Sequence, residues 1–151
     1  MQVRDASPMI QPPASPGLSI IIVTYNSATV LSGLLDSLPA GLEGIEIFET
    51  IVVDNDSRDN TVDIALAHPL GPRVIRMGRN AGYAAAINAG AAAVPADANL
   101  LILNPDLRLD PGAGSLLIDR LKDPSVGIAV PRILNGDGTL SWSIQIGRAH
   151  V

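Results

Sequence analysis

The sequence predicts an α/β protein, with a mostly parallel sheet and helices on both of its faces. Three observations carry that reading. Apolar runs rich in Ile, Val and Leu recur along the chain, as in strands buried on both faces. Each run stops at a cluster of Asn, Asp, Pro or Gly. Between the runs lie segments with apolar residues at helical spacing, so strand and helix alternate throughout.

The elements follow in order. LSIIIVTYN, residues 18–26, is the first strand. SATVLSGLLDSLPAG follows, with Val30, Leu31, Leu34, Leu35 and Leu38 at helical spacing, Ser27 as N-cap and residues 39–41 as the stop. The second strand covers about 46–54, within IEIFETIVVDNDS. RDNTVDIALAHP is a short helix capped by Asp59 and stopped by Pro69, and PRVIRM is a short third strand. The Ala-rich stretch 80–94 favours helix, with Pro95 closing it. NLLILNPD is the fourth strand, DPGAGSLLIDRLK a helix opened by Asp110 and Pro111, and VGIAVPRI a fifth strand. No internal repeat is visible.

Composition sets the bounds. A chain of 151 residues holds one domain with a real core. Hydrophobic residues make up 47%, which excludes a disordered chain, and aromatics only 3%, so the core is built from Ala, Val, Ile and Leu. The formal charge of −5 and scattered arginines argue against a nucleic-acid surface. The chain has no cysteine, which excludes disulfides and thiolate metal sites and fits a reducing compartment. No apolar run reaches the length of a membrane span. Residues 1–17 read as a disordered Pro-rich leader rather than a signal peptide, so a cytoplasmic location is the default.

In open α/β sheets, ligands bind at the carboxyl ends of the strands. Here those ends carry Thr24-Tyr25-Asn26, Asp54-Asn55-Asp56 and Asn104-Pro105-Asp106. Asp54 and Asp56 can accept ribose hydroxyls or the imide N–H of a base; equally, DNDSRDN can be a turn whose carboxylates bond local backbone. Pro105 cannot continue a central ladder, so it ends the strand and sets the angle at which Asp106 leaves the sheet. A lone carboxylate beside a nucleotide diphosphate would repel it, and a bridging divalent cation removes the conflict. Asn-Pro-Asp is also a common turn.

GRNAGYAAAIN is not a Rossmann fingerprint, and no Walker A sequence is present. It places Arg79 and Asn80 at a helix N-terminus, where N–H groups favour an anion or a polar ligand edge, and Gly82 allows close backbone approach. An ordinary cap on a packing helix reads the same way. His68 and His150 lack metal-type partners and are expected on the surface.

The four blocks SIIIVTYNS, IVVDNDSRDNT, RNAGYAAAINAG and LLILNPDLRLDPGA, in this order, resemble the inverting family 2 glycosyltransferases of GT-A fold, a Rossmann-like architecture. The likeness is to the rhamnosyltransferase-like branch, where Asn-Pro-Asp stands in place of Asp-x-Asp, and it covers residues 18–143. It implies a UDP- or dTDP-linked sugar donor, a divalent metal (Mg2+ or Mn2+) and a saccharide or lipid-linked saccharide acceptor, with work in polysaccharide biosynthesis at or near the inner face of the cell membrane. By the same likeness Thr24, Tyr25 and Asn26 border the base pocket, and Asp54 holds base or ribose with Asp56 beside it. Arg79, Asn80 and Gly82 line the nucleotide site, and Asp106 holds the metal with help from Asn104.

Two departures are visible. Ala85-Ala86 replaces a glycine pair common in the branch, and the acidic catalytic base of the family is expected beyond the C-terminus of this chain. Asp137, in NGDGT, sits in a Gly-rich turn and is not promoted to that role. Residues 146–151, IGRAHV, leave the family pattern and match one reading frame of a sequencing adapter. The expectation is an artefactual tail after an incomplete nucleotide-sugar-binding domain at 18–145, inactive as it stands, whose full-length parent would transfer a sugar such as rhamnose with inversion. A non-catalytic nucleotide-sugar-binding module and, behind it, a nucleotidyltransferase are the alternatives.

Overall fold

The computed structural model describes residues 17–141. The expected leader and tail therefore lie almost wholly outside the described residues, as does His150. Four apolar runs become four parallel strands: β1 (Leu18–Thr24), β2 (Ile47–Asp54), β3 (Arg73–Arg76) and β4 (Asn99–Leu103). Their order across the sheet is β3-β2-β1-β4. All seven residues of β1 are buried because it is central and covered on both faces. Thr24 stands opposite Asp54, and Leu103 opposite Ile22. The polar tips of β1, β2 and β4 thus share one edge.

The two faces use alternate residues of each strand. Ile20, Ile22, Val52 and Leu103 face α1 (Leu31–Gly41) and α2 (Thr61–Ala67), whose Leu31, Leu34, Leu35, Leu38 and Ala65 complete that core. Each such side chain contributes about 2 kcal/mol on burial. Ile21, Val23, Ile51 and Val53 face α3 (Tyr83–Ala91) through Ala86. Gly90 lets α3 lie close: an added Cβ there would stand 2.8 Å from Ile21 Cγ2. A fourth helix, α4 (Ala113–Leu121), lies beside the end of α1, with Gly114 against Leu42 and Ile45. No helix among the described residues is long and apolar enough to cross a membrane.

The structure corrects several sequence expectations. Residues 126–132 carry no strand; Ile128 and Val130 are 83% and 71% exposed. An apolar run becomes a strand only where a partner edge accepts its backbone, and Pro131 has no N–H to give. Instead, β5 (Ile133–Leu134) and β6 (Leu140–Ser141) pair as an antiparallel hairpin around the NGDG turn. The helix α1 does end within the expected stop, at Gly41, with Pro39 inside its last turn. Ser27 does not cap α1 with its side chain: its hydroxyl is bonded to the backbone of Tyr25. His68 is not a free surface residue; its side chain is largely covered, with Nε2 3.2 Å from Asp36 Oδ1.

Candidate functional site

At the tips of β1 and β2 the polar side chains bond mostly to one another. Asp54 is buried, and its carboxylate accepts from the Thr24 hydroxyl at 3.0 Å, the Ser57 N–H at 3.0 Å and the Ser57 hydroxyl. Asn26, at φ 49°, bridges the two loops. Its N–H donates to Ser57 Oγ, and its Oδ1 accepts from the Arg58 N–H, both at 2.8 Å. Asp59 accepts from the Ala28 N–H at 3.0 Å and from the N–H and hydroxyl of Thr61. The Thr61 hydroxyl, aided by these backbone N–H groups, holds the Asp59 carboxyl below its ordinary value against a smaller opposing desolvation. Asp59 therefore does meet the first N–H of α2, as its place in the sequence suggests.

Asn55 reaches the other way. Its Nδ2 donates to Asn80 Oδ1 at 2.9 Å, and its Oδ1 accepts from the Ala81 N–H at 2.9 Å. The 79–82 loop is thereby stapled to the tip of β2. Arg79 and Asn80 do not stand at the N-terminus of the helix, where the sequence led one to expect them. The turn around Gly82, at φ 90°, delays α3 to Tyr83, a backbone conformation glycine adopts without strain. Asn80 instead accepts from the Gly82 N–H at 3.1 Å, and the Arg79 side chain is exposed.

Beside this network opens a cleft of about 380 Å³, lined by Asp54, Asp56, Ser57 and Asp59, by Val62 and Asp63 of α2, and by Arg76 and Gly78. Asp56 is exposed, at φ 72°. Tyr25 stands half-exposed at the same strand edge.

The tip of β4 is built differently. The strand leaves the ladder at Leu103, and the Leu107 N–H donates to the Asn104 carbonyl at 3.3 Å, closing a turn around Pro105 and Asp106. Asn104 and Asp106 are exposed, and the Asp106 carboxylate has no hydrogen-bond partner among the described residues. Across the intervening β1, the tips of β2 and β4 are two interstrand steps, about 10 Å, apart. Tyr83, opening α3, is within electrostatic reach of Asp106. Burial first, and the Asp106 charge second, raise its phenol above the ordinary tyrosine value.

The structure thus brings Thr24, Tyr25, Asn26, Asp54 and Asp56 together around one half of the edge. Asn104 and Asp106 stand at the other half, and the 79–82 loop reaches the first through Asn55. Sequence reasoning placed Asn55 at the strand tip without giving it a role, and missed Ser57, Arg76 and Tyr83. Their type and place after a strand or at a helix start were the only signals. Among the described residues no three His, Asp or Glu side chains gather to hold a metal. A single open carboxylate still fits a cation that takes most of its oxygens from phosphate and water.

The chain matches the model of glycosyl transferase family 2 over residues 19–148. It is 34% identical to an uncharacterized protein of Mycobacterium tuberculosis, over 97% of this chain and 46% of that protein. It is 30% identical to the N-acetylglucosaminyl-diphospho-decaprenol L-rhamnosyltransferase of the same organism, over 82% of this chain and 43% of that protein. The chain spans less than half the length of these relatives. Among solved structures, the mannosyltransferase PcManGT from Pyrobaculum calidifontis, in complex with GDP-Man and Mn2+, superposes with a TM-score of 0.62 at 25% identity. That match covers 76% of this chain and 35% of that one. Staphylococcus aureus TarS 1-349 in complex with UDP shares the fold, with a TM-score of 0.59 at 22% identity over 77% of this chain and 38% of that one.

Proposed function

The chain belongs to glycosyl transferase family 2, and from that premise we propose that it binds a nucleotide-diphosphate sugar across the tips of β2 and β4, with a divalent cation on Asp106. The single observation that carries this reading is the unbonded carboxylate of Asp106, on the same sheet edge as the Asp54 cleft. A carboxylate left exposed on the same sheet edge as that cleft suits a cation that takes its other ligands from a diphosphate. When bound, the cation would stabilise the charge that develops on the diphosphate leaving group.

The chain's own residues divide the remaining work. Asp54 has about four acceptor positions and gives three to Thr24 and Ser57, which leaves one for a base or ribose donor. Asp56 and Arg76 line the same cleft with charges of opposite sign. Arg79 and Asn80 lie on the loop that Asn55 holds at the tip of β2, and Asn104 would help Asp106 hold the cation. Asp137 is not assigned as the acceptor's base. The Thr139 hydroxyl, then its N–H, hold the Asp137 carboxyl below its ordinary value.

For the whole protein we propose inverting transfer of the sugar to a saccharide acceptor. The named rhamnosyltransferase relative favours rhamnose and a lipid-linked acceptor, which would bring the reaction to the cytoplasmic membrane surface.

The test is calorimetric titration of UDP- and dTDP-sugars with Mn2+ and with EDTA, in wild type and Asp106→Ala. Binding should tighten with Mn2+, and the substitution should remove that gain of about tenfold or more. Equal affinity of the two proteins in Mn2+ would rule the assignment out.

A further inference from the structure

The segment that follows Asp106 lies along α1. The Leu109 N–H donates to Ser37 Oγ at 3.0 Å, and that hydroxyl donates in turn to the Leu34 carbonyl at 2.7 Å. One helical turn further, Gly41 faces the same leucine: a Cβ there would overlap Leu109 Cβ. The Gly112 N–H then donates to the Ala40 carbonyl at 3.1 Å. Ser37 and Gly41 are four residues apart and so share one face of α1. Leu107 and Leu109 pack onto the core on this side of the sheet.

Asp106 is thus suspended between two anchors. Upstream, Leu103 is buried in the sheet and Pro105 restricts the backbone. Downstream, Leu109 is pinned to α1. The carboxylate itself has no hydrogen bond to fix it, so these anchors set where it stands. Leu109 is the third residue after Asp106, and a displaced Leu109 would carry the turn with it.

We propose that Ser37 and Gly41 are positioning residues for the cation and diphosphate, acting through Leu109 on Asp106 and touching neither ligand. The inference rests on the assignment of Asp106 to the cation. Ser37→Ala removes the acceptor of the Leu109 N–H, and Gly41→Ala pushes Leu109 away from the helix. Groups that orient a metal ligand from behind typically govern its affinity, by about tenfold when removed.

The experiment titrates UDP and dTDP into wild type, Ser37→Ala, Gly41→Ala and Asp106→Ala, each with Mn2+ and with EDTA. The affinity gained on adding Mn2+ should shrink about tenfold in Ser37→Ala and Gly41→Ala, while the affinity in EDTA stays at the wild-type value. A merely structural role would weaken both conditions alike, and that result overturns the inference. If Gly41→Ala fails to fold, Ser37→Ala decides alone, since it deletes only one oxygen. A Mn2+ gain abolished by Asp106→Ala but untouched by Ser37→Ala overturns the positioning role and leaves the ion assignment standing. A gain that survives Asp106→Ala overturns the ion assignment and the inference with it.

Discussion

At the tips of β1 and β2, Asp54, Asn55, Asn26, Ser57 and Asp59 bond to one another and to nearby backbone before any ligand arrives. At the tip of β4, Asp106 carries no such bond and is held only through the backbone on either side of it. Both regions end a strand with an acidic residue on one edge of one sheet. On the function proposed above, the preorganised region would take the rigid, neutral base, and the open one the partner that brings opposite charge with it. A buried carboxylate must be satisfied internally, whereas an exposed one can wait in water at little cost.

The largest effect should separate the regions by stability. Asp54→Ala would strand the Thr24 hydroxyl and both donors of Ser57 in a mostly buried setting. We expect a loss of about 3 kcal/mol in urea unfolding. Asp106→Ala should stay within about 0.5 kcal/mol of wild type, because nothing in the fold leans on that carboxylate. Comparable losses in the two variants would erase the contrast.

A smaller effect is expected at the staple. Asn55→Ala frees the 79–82 loop by removing two bonds, at a cost of about 2 kcal/mol. It should weaken nucleotide binding in EDTA while leaving the gain from Mn2+ unchanged, which is the mirror image of Asp106→Ala. Calorimetry under both conditions reads the two quantities side by side. A variant that lost the Mn2+ gain instead would show that the two regions are coupled rather than separately built.

This division explains what the sequence could reveal. The parallel sheet, its four strands and the helices between them were legible, because long apolar runs such as IIIV and IVV need cover on both faces. The residues at the strand tips were legible for the same reason: they follow directly from where each run stops. Partners distant in sequence were not. Asn55 meets Asn80 and Ala81 only after folding, and nothing in DNDS says which of its polar residues turns toward that loop. The run VGIAVPRI shows the converse: its composition suited a strand, but pairing depends on a neighbour that no local pattern records. Tyr83 was hidden by an Ala-rich helix pattern whose true start is set by the backbone at Gly82.

The smallest predicted effect is electrostatic, and it tests whether the β4 tip keeps an unneutralised charge in the free protein. The Tyr83 phenol is raised mainly by burial and secondarily by Asp106. The neutral phenol is therefore favoured in the folded state, a contribution present below the unfolded tyrosine value and lost as pH rises through the folded one. In a Tyr25→Phe background, ultraviolet titration reports Tyr83 as the remaining tyrosine. Asp106→Asn should lower its titration midpoint but leave it above the ordinary value, since the larger cause is untouched. Ionic strength provides an independent handle: added salt should reproduce part of the shift in wild type and little of it in Asp106→Asn, because salt screens the Asp106 charge and not the burial. A midpoint that ignores the substitution would mean that Asp106 points away from α3, and the open half of the edge would then lack the tyrosine as a wall.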